Sequence, residues 1–292
     1  MLSKEILKKV RKIQYKISRM SNEMISGQYT SVFKGAGIEF DEVREYIPGD
    51  DIRSIDWNVT ARSGVPHIKR FAEERELTVM LVIDLSGSQR FGSVESLKSE
   101  LAAEISALLA FLAIKNNDKV GLLIFTDTCE KYLPPQKGRR HVLRVIREIL
   151  GYQPSGTGTK IEEALKFVSQ ILKQRSIVFL VSDFIADNFE KILGVVARRH
   201  DLVAVRLKDP REEELPRLGL VEFEDNETGR RVLIDTADEQ VRLMVKAEAK
   251  QRDESLAKLF RRNKVDLIEI LTDRPYLEPI QKFFKLRERR MR

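Results

Sequence analysis

The sequence predicts an α/β fold: a doubly wound, mostly parallel sheet with an N-terminal helix and a small β-rich segment ahead of it. Two observations carry this. The apolar runs at 77–84 (LTVMLVID), 120–126 (VGLLIFT) and 176–183 (SIVFLVSD) are continuous rather than alternating, as strands buried on both faces require. Stretches of helical length and period separate most of the strands, so the chain crosses over from one parallel strand to the next.

The elements follow in order. Over residues 3–25, Ile6, Val10, Ile13, Ile17, Met20 and Met24 recur at spacings of three and four with Lys and Arg between them. That spacing gives a basic amphipathic helix, suited to docking on its own domain or on a partner helix. Residues 27–76 hold Gly27, Gly35, Gly37, Pro48, Gly49, Gly64 and Pro66, which predict turns and short strands. The chain thus divides into 1–26, 27–76 and an α/β domain over 77–292. In that domain a helix is expected over 94–116 and an edge strand over 129–135 (CEKYLPP), stopped by proline. Helices at 139–150 and 161–174 precede the strand 176–183. A helix at 188–199, a strand at 201–207 and a hairpin at 221–235 around Asn226 and Gly229 come next. A long helix (238–262), a strand (265–271) and a last helix (276–290) complete the chain.

Composition narrows the function. The net charge of +7 is uneven: residues 1–34 carry +6, residues 282–292 carry +5, and the body between them is at −4. A nucleic-acid enzyme more often carries its basic patch on the body of the fold, so nucleic acid is disfavoured as a partner. The basic ends could meet a membrane surface, RNA, an acidic protein or only water. Cys129 is the one cysteine, which excludes an intramolecular disulfide and a CxxC zinc site. His67, His141 and His200 are scattered, without metal-ligand spacing. No signal-peptide core is visible, and no apolar run approaches the roughly 18 residues that span a bilayer. A cytoplasmic protein is expected.

The chemistry gathers at strand ends. Asp84, Ser86 and Ser88 alternate just past the first buried strand, so their oxygens can face one way. Ser182 and Asp183 close the third buried strand, at the same edge of the sheet. Between them Gly158-Thr159 leads into a helix, where a hydroxyl is often only a cap. Three hydroxyls and two carboxylates at one sheet edge suit a hard divalent cation: Mg²⁺, or Mn²⁺ or Ca²⁺ in its place.

Asp-x-Ser-x-Ser, a later Gly-Thr and a strand-terminal Asp resemble the metal-ion-dependent adhesion site of von Willebrand factor A domains. The matching positions are Asp84, Ser86, Ser88, Thr159 and Asp183, with Thr157 a rival for the threonine. The resemblance implies direct coordination by Ser86, Ser88 and Thr159, and a role for Asp84 and Asp183 directly or through water. It implies a von Willebrand factor A-like fold that grips an acidic residue of a protein partner through the ion. A longer similarity covers most of the chain. GAGIEFDEVREYIPGDDIRSIDWNVTARSG (35–64), IKRF (68–71), EERE (73–76), DLSGS and VSDF (181–184) resemble domain of unknown function family 58, found in bacteria and archaea. Genes of that family accompany MoxR-type AAA+ ATPases. The resemblance implies a non-enzymatic adaptor for such an ATPase in chaperone-like assembly or activation. Gln89 stands where relatives tend to have methionine.

An alternative lies in the acid-rich stretch 39–56. Asp50, Asp51 and Asp56 with Lys69 loosely resemble a carboxylate–lysine centre of a metal-dependent hydrolase or nuclease. The blander expectation is a salt-bridge network among Arg44, Arg53, Arg62 and Lys69 that docks the segment. Trp57 is expected to anchor a core. GTGTK (156–160) lacks P-loop spacing, Ser86 and Ser88 lack an identifiable histidine base, and Cys129 is expected to be inert. No catalytic residue is assigned.

Overall fold

A computed structural model describes residues 8, 10–13, 15, 29, 32–33, 37–74, 76–90, 98–212 and 214–291. The chain splits into two compact units, Phe33–Leu77 and Met1–Val32 with Thr78–Arg292.

In the smaller unit, β1 (Gly37–Glu45) pairs antiparallel with β2 (His67–Glu74), with a register shift between Phe40 and Glu42. The connection is short and capped at each step. Asp51 accepts from the Arg53 amide to start a 3₁₀ turn over Ile52–Ser54. Asp56 accepts from the Asn58 and Val59 amides to start α1 (Trp57–Ser63), and Gly64 ends it in the left-handed region at φ 74°. The sequence predicts Trp57 as a core anchor, and the structure corrects this. Asp56 is the buried residue, and Trp57 is 67% exposed, as are Ile52 (66%) and Ile47 (59%).

The larger unit is a six-stranded sheet in the order β10-β7-β6-β3-β4-β5. Its strands are β3 (Thr78–Asp84), β4 (Lys119–Phe125), β5 (Cys129–Gln136), β6 (Ile177–Ser182), β7 (Asp201–Lys208) and β10 (Asp266–Leu271). All neighbours are parallel except β5, which runs antiparallel to β4 on the edge. The doubly wound, mostly parallel sheet expected from the apolar runs is therefore present. The edge strand expected over 129–135 is present and runs one residue further, to Gln136, with a register shift that passes over Pro134 and Pro135. An edge position tolerates the missing donors.

Helices cover both faces. On one, Met80, Val82, Leu123, Val178 and Leu180 pack with residues of α4 (Ile161–Ile171), α5 (Glu190–Arg199) and α6 (Glu239–Asn263). Also described after residue 97 are α2 (Lys98–Lys115), α3 (Arg139–Gly151) and α7 (Leu277–Met291), and α2 packs on α3. Burial on both faces is why β3, β4 and β6 are apolar at nearly every position. Predicted helix ends move slightly. α4 stops at Ile171, and residues 94–97 of the helix expected over 94–116 lie outside the described residues.

At the N-terminus, Lys8, Val10–Ile13 and Tyr15 are helical, with Val10 and Ile13 buried and the basic residues exposed. The rest of the helix expected over 3–25 lies outside the described residues. At the C-terminus, two basic residues of α7 are paired internally, Arg287 with Asp201 and Asp266, and Arg290 with Asp266. Among the described residues no helix is long and apolar enough to cross a membrane.

β8 (Leu220–Glu224) and β9 (Arg231–Asp235) form a separate antiparallel hairpin. No residue of 220–235 is buried.

His141 on α3 offers a pH test. Its Nε2 lies 2.8 Å from the Val120 carbonyl, so that nitrogen must carry the proton and donate. Burial first, and the Arg144 charge after it, hold the imidazole below its usual value, against the favourable Val120 bond. A depressed folded value makes its stabilisation complete above about pH 6.5 and lost as pH falls through the lower value. The denaturant midpoint is expected to drop with acid below pH 6.5, and less steeply in His141→Gln. Parallel curves for the two proteins would show that His141 contributes nothing to the pH dependence.

Candidate metal centre

The strand order reverses between β3 and β6: from β3 the chain first builds outward through β4 and β5, then returns to lay down β6 on the other side. In open α/β sheets the crevice beyond the carboxyl ends of the strands at such a switch point is where ligands bind. β3 ends there in Asp84 and β6 in Ser182, with Asp183 next in the chain.

Asp84 is 1% exposed. One carboxylate oxygen accepts from the Ser86 amide (2.9 Å) and the other from the Ser182 hydroxyl (2.6 Å). Burial, then the Asp183 charge, pushes this carboxyl up to about 7, against those hydrogen bonds. Asp183 accepts from the Ile185 amide (3.1 Å) and from the Lys98 ammonium (3.2 Å). Lys98 is fully buried and also pairs with Glu212. Between Asp183 and Ile185, Phe184 adopts a left-handed backbone (φ 60°). Its amide donates to Ser182 Oγ (3.0 Å), and its ring packs edge-on against Phe260, centroids 5.2 Å apart.

The hydroxyls come from two loops. Ser86 Oγ and Ser88 Oγ are 3.0 Å apart, a hydrogen-bond distance. It also matches two adjacent corners of an octahedron with ligands at about 2.1 Å, whose edge is roughly 3 Å. Thr159 is not a helix cap: Lys160 precedes α4, with no side-chain capping bond. Instead Thr159 Oγ1 donates to Glu227 Oε1 at 2.6 Å. The rival Thr157 is exposed and spends its hydroxyl on the Glu227 backbone carbonyl (2.8 Å). Its own carbonyl accepts from the Gly87 amide (2.7 Å).

The structure thus links Asp84 to Ser86 by a backbone hydrogen bond, Ser86 to Ser88, and Asp84 to Asp183 through charge. Thr159 donates to the Glu227 carboxylate. Glu227 is raised by burial first, with the Asp183 and Asp225 charges adding to this and the Thr159 and Ser88 hydroxyls opposing it. Among the described residues no three His, Cys, Asp or Glu side chains gather as a metal cluster. An ion here depends on the hydroxyls. The donor set of hydroxyls and two buried carboxylates, all oxygen, fits Mg²⁺, Mn²⁺ or Ca²⁺ and not a soft metal.

Three participants were not picked out from the sequence. Glu227 sits at the tip of the β8–β9 hairpin, and Lys98 looks like any basic residue near a helix start. Glu130 accepts from the Ser155 and Gly156 amides (3.0 and 2.9 Å) and from the Ser155, Tyr152 and Thr126 hydroxyls, which ties the loop before Thr157 to the sheet edge. Only the hairpin turn itself was legible, through Asn226 and Gly229.

Asp50, Asp51 and Asp56 of the acidic stretch are engaged locally. Arg44 forms a bidentate pair with Asp50 (2.8 and 2.9 Å), whose carboxyl is held low chiefly by that bond. Asp51 and Asp56 are caps. Of the expected salt-bridge network, the Arg44–Asp50 pair is present.

Residues 42–255 match the family described as protein of unknown function DUF58. The protein described as uncharacterized protein Rv1480 of Mycobacterium tuberculosis is 31% identical over 287 residues, covering 96% of this chain and 89% of the relative. Among solved structures, the conserved hypothetical protein BatB from Bacteroides thetaiotaomicron is similar, with a TM-score of 0.48 and 15% identity over 73% of this chain and 99% of that one. The VWA domain of SpRpn10 is similar at a TM-score of 0.39 and 13% identity, covering 70% of this chain and 93% of that one.

The hairpin tip lies hard against the first loop. A Cβ at Gly87 would sit 2.2 Å from the Asn226 carbonyl oxygen, whereas one at Gly158 would meet nothing nearer than 3.7 Å. Gly87→Ala is expected to cost about 1–3 kcal/mol of local stability and to speed amide hydrogen exchange across 220–235. Gly158→Ala should leave that exchange unchanged. Equal exchange in both variants would contradict the close packing at Gly87.

Proposed function

The chain belongs to the DUF58 family, and from that premise we propose that it is a metal-dependent protein-interaction module rather than an enzyme. In this reading Ser86, Ser88 and Thr159 hold Mg²⁺ directly, and Asp84 and Asp183 hold it directly or through water. Mn²⁺ and Ca²⁺ are the other candidates. The bound ion supplies a concentrated positive charge that attracts a carboxylate offered by a protein partner.

The observation that carries the reading is the burial of Asp84 beside Asp183, on the loop where the Ser86 and Ser88 hydroxyls stand 3.0 Å apart. Two carboxylates drawn out of water repel each other, and burial penalises each charge unless it is paired. Lys98 answers one of them. A divalent cation would answer both, and the hydroxyls supply neutral ligands that leave the ion its positive charge. The partner follows from the sequence resemblance: a MoxR-type AAA+ ATPase, for which this protein would act as adaptor in chaperone-like assembly or activation. A carboxylate held by an ion at a sheet edge needs no nucleophile, and none is assigned here.

Calorimetric titration with Mg²⁺ and Mn²⁺ tests the reading on wild type, Asp84→Ala and the near-isosteric Asp84→Asn. Metal affinity is expected to fall at least tenfold in both variants, a loss of about 1.4 kcal/mol or more. Association with a MoxR-type ATPase should follow the metal and disappear in chelator. Metal binding indifferent to both substitutions would sink the site, and partner binding indifferent to chelator would sink the mechanism. Asp51→Ala should leave metal affinity unchanged. Turnover of a nucleic acid or phosphate ester that this variant destroys would instead establish the hydrolase alternative.

A further inference from the structure

We propose that the β8–β9 hairpin is a latch on this site: Glu227 occupies, from within the chain, the place a partner's acidic residue would take. The inference rests on the metal-dependent grip proposed above and adds its regulation.

Four observations place the latch. The Glu227 carboxylate accepts from Thr159 Oγ1 at 2.6 Å, so it engages one of the three hydroxyls assigned to the ion. Its backbone carbonyl accepts from Thr157 Oγ1 at 2.8 Å. Gly87, between Ser86 and Ser88, leaves no room for a side chain against Asn226, so the tip is fitted to the loop. The tip is also pre-shaped: Asp225 accepts from the Glu227 amide (2.9 Å) and the Thr228 hydroxyl (2.6 Å), and Gly229 closes the turn at φ 70°.

The rest of the hairpin holds on weakly. None of residues 220–235 is buried, and Leu220 and Leu233 are 68% and 65% exposed. Attachment therefore depends on the tip. Segments with few buried apolar contacts open at low free energy, so a competing carboxylate can displace this one without unfolding the sheet. Until then the tethered acid competes at an effective concentration in the millimolar range, by analogy with short flexible links. Weak or free carboxylates are shut out, and a partner must bring its acid on a turn narrow enough to enter beside Gly87.

The test uses Mn²⁺ as the metal and acetate as the carboxylate, on the full chain of wild type, Glu227→Gln and Glu227→Ala. Calorimetry reads metal affinity, and water-proton relaxation reads exchangeable water on the ion. All three proteins are expected to bind Mn²⁺, the variants a few-fold more weakly. In both variants the ion should carry more exchangeable water, and acetate should displace it at concentrations at least tenfold lower than in wild type. Equal hydration and equal acetate response in all three, with Mn²⁺ bound, would overturn the latch and leave the metal site standing. No Mn²⁺ uptake by any of them would overturn the metal site and the latch with it.

Discussion

A carboxylate at the end of a fully buried strand has to be satisfied from within, and Asp84 sets that requirement for the larger unit. β3 is the central strand from which the chain builds outward on both sides, and its residues Val79 to Ile83 are completely buried. Asp84 therefore emerges with little access to water. Its two oxygens need donors, and the structure provides the Ser86 amide and the Ser182 hydroxyl. The first bond turns the chain back so that Ser86 and Ser88 stand beside the acid. The second requires serine at the end of the adjacent strand. Asp183 and the buried Lys98 follow as the next layer of charge.

The loops around this acid are fixed by the edges of the sheet. Glu130, on the antiparallel edge strand, gathers the backbone of Ser155 and Gly156, and the Lys160 amide donates to the Thr126 carbonyl (2.9 Å). Thr159 is therefore presented by a tethered segment. Gly156 belongs to the same fit: a Cβ there would fall on the Asp127 carboxylate and the Thr126 hydroxyl. Hydroxyl groups held in this way lose little freedom when they engage a ligand, which is the physical value of a supported loop.

The layered fold was legible because burial on both faces forces continuous apolar runs, and those runs are conspicuous in the sequence. Asp84, Ser86 and Ser88 were legible because alternation along one short loop is local. Thr159 and Asp183 could be attached to them through topology and resemblance. Glu227 could not: it meets Thr159 only after a hairpin folds back across 68 residues of chain. Lys98 was hidden for the same reason, since nothing near it in sequence announces Asp183. Trp57 misled because its size argues for burial, whereas the capping demand of α1 turned Asp56 inward instead. The edge strand was legible despite its prolines because an edge position can forgo donors that an interior strand needs.

The groups around the crevice come from three stretches of chain that are far apart in sequence and meet only in the folded sheet. An unfolded chain has no means of holding an ion with them. Any cation they bind therefore acts by mass action on the folding equilibrium itself, adding about 2.7 kcal/mol at a hundredfold excess over its dissociation constant. Against a typical total of roughly 5–15 kcal/mol, that is a substantial share. The supply of free ion would then govern how much of the chain is folded as well as what it can hold.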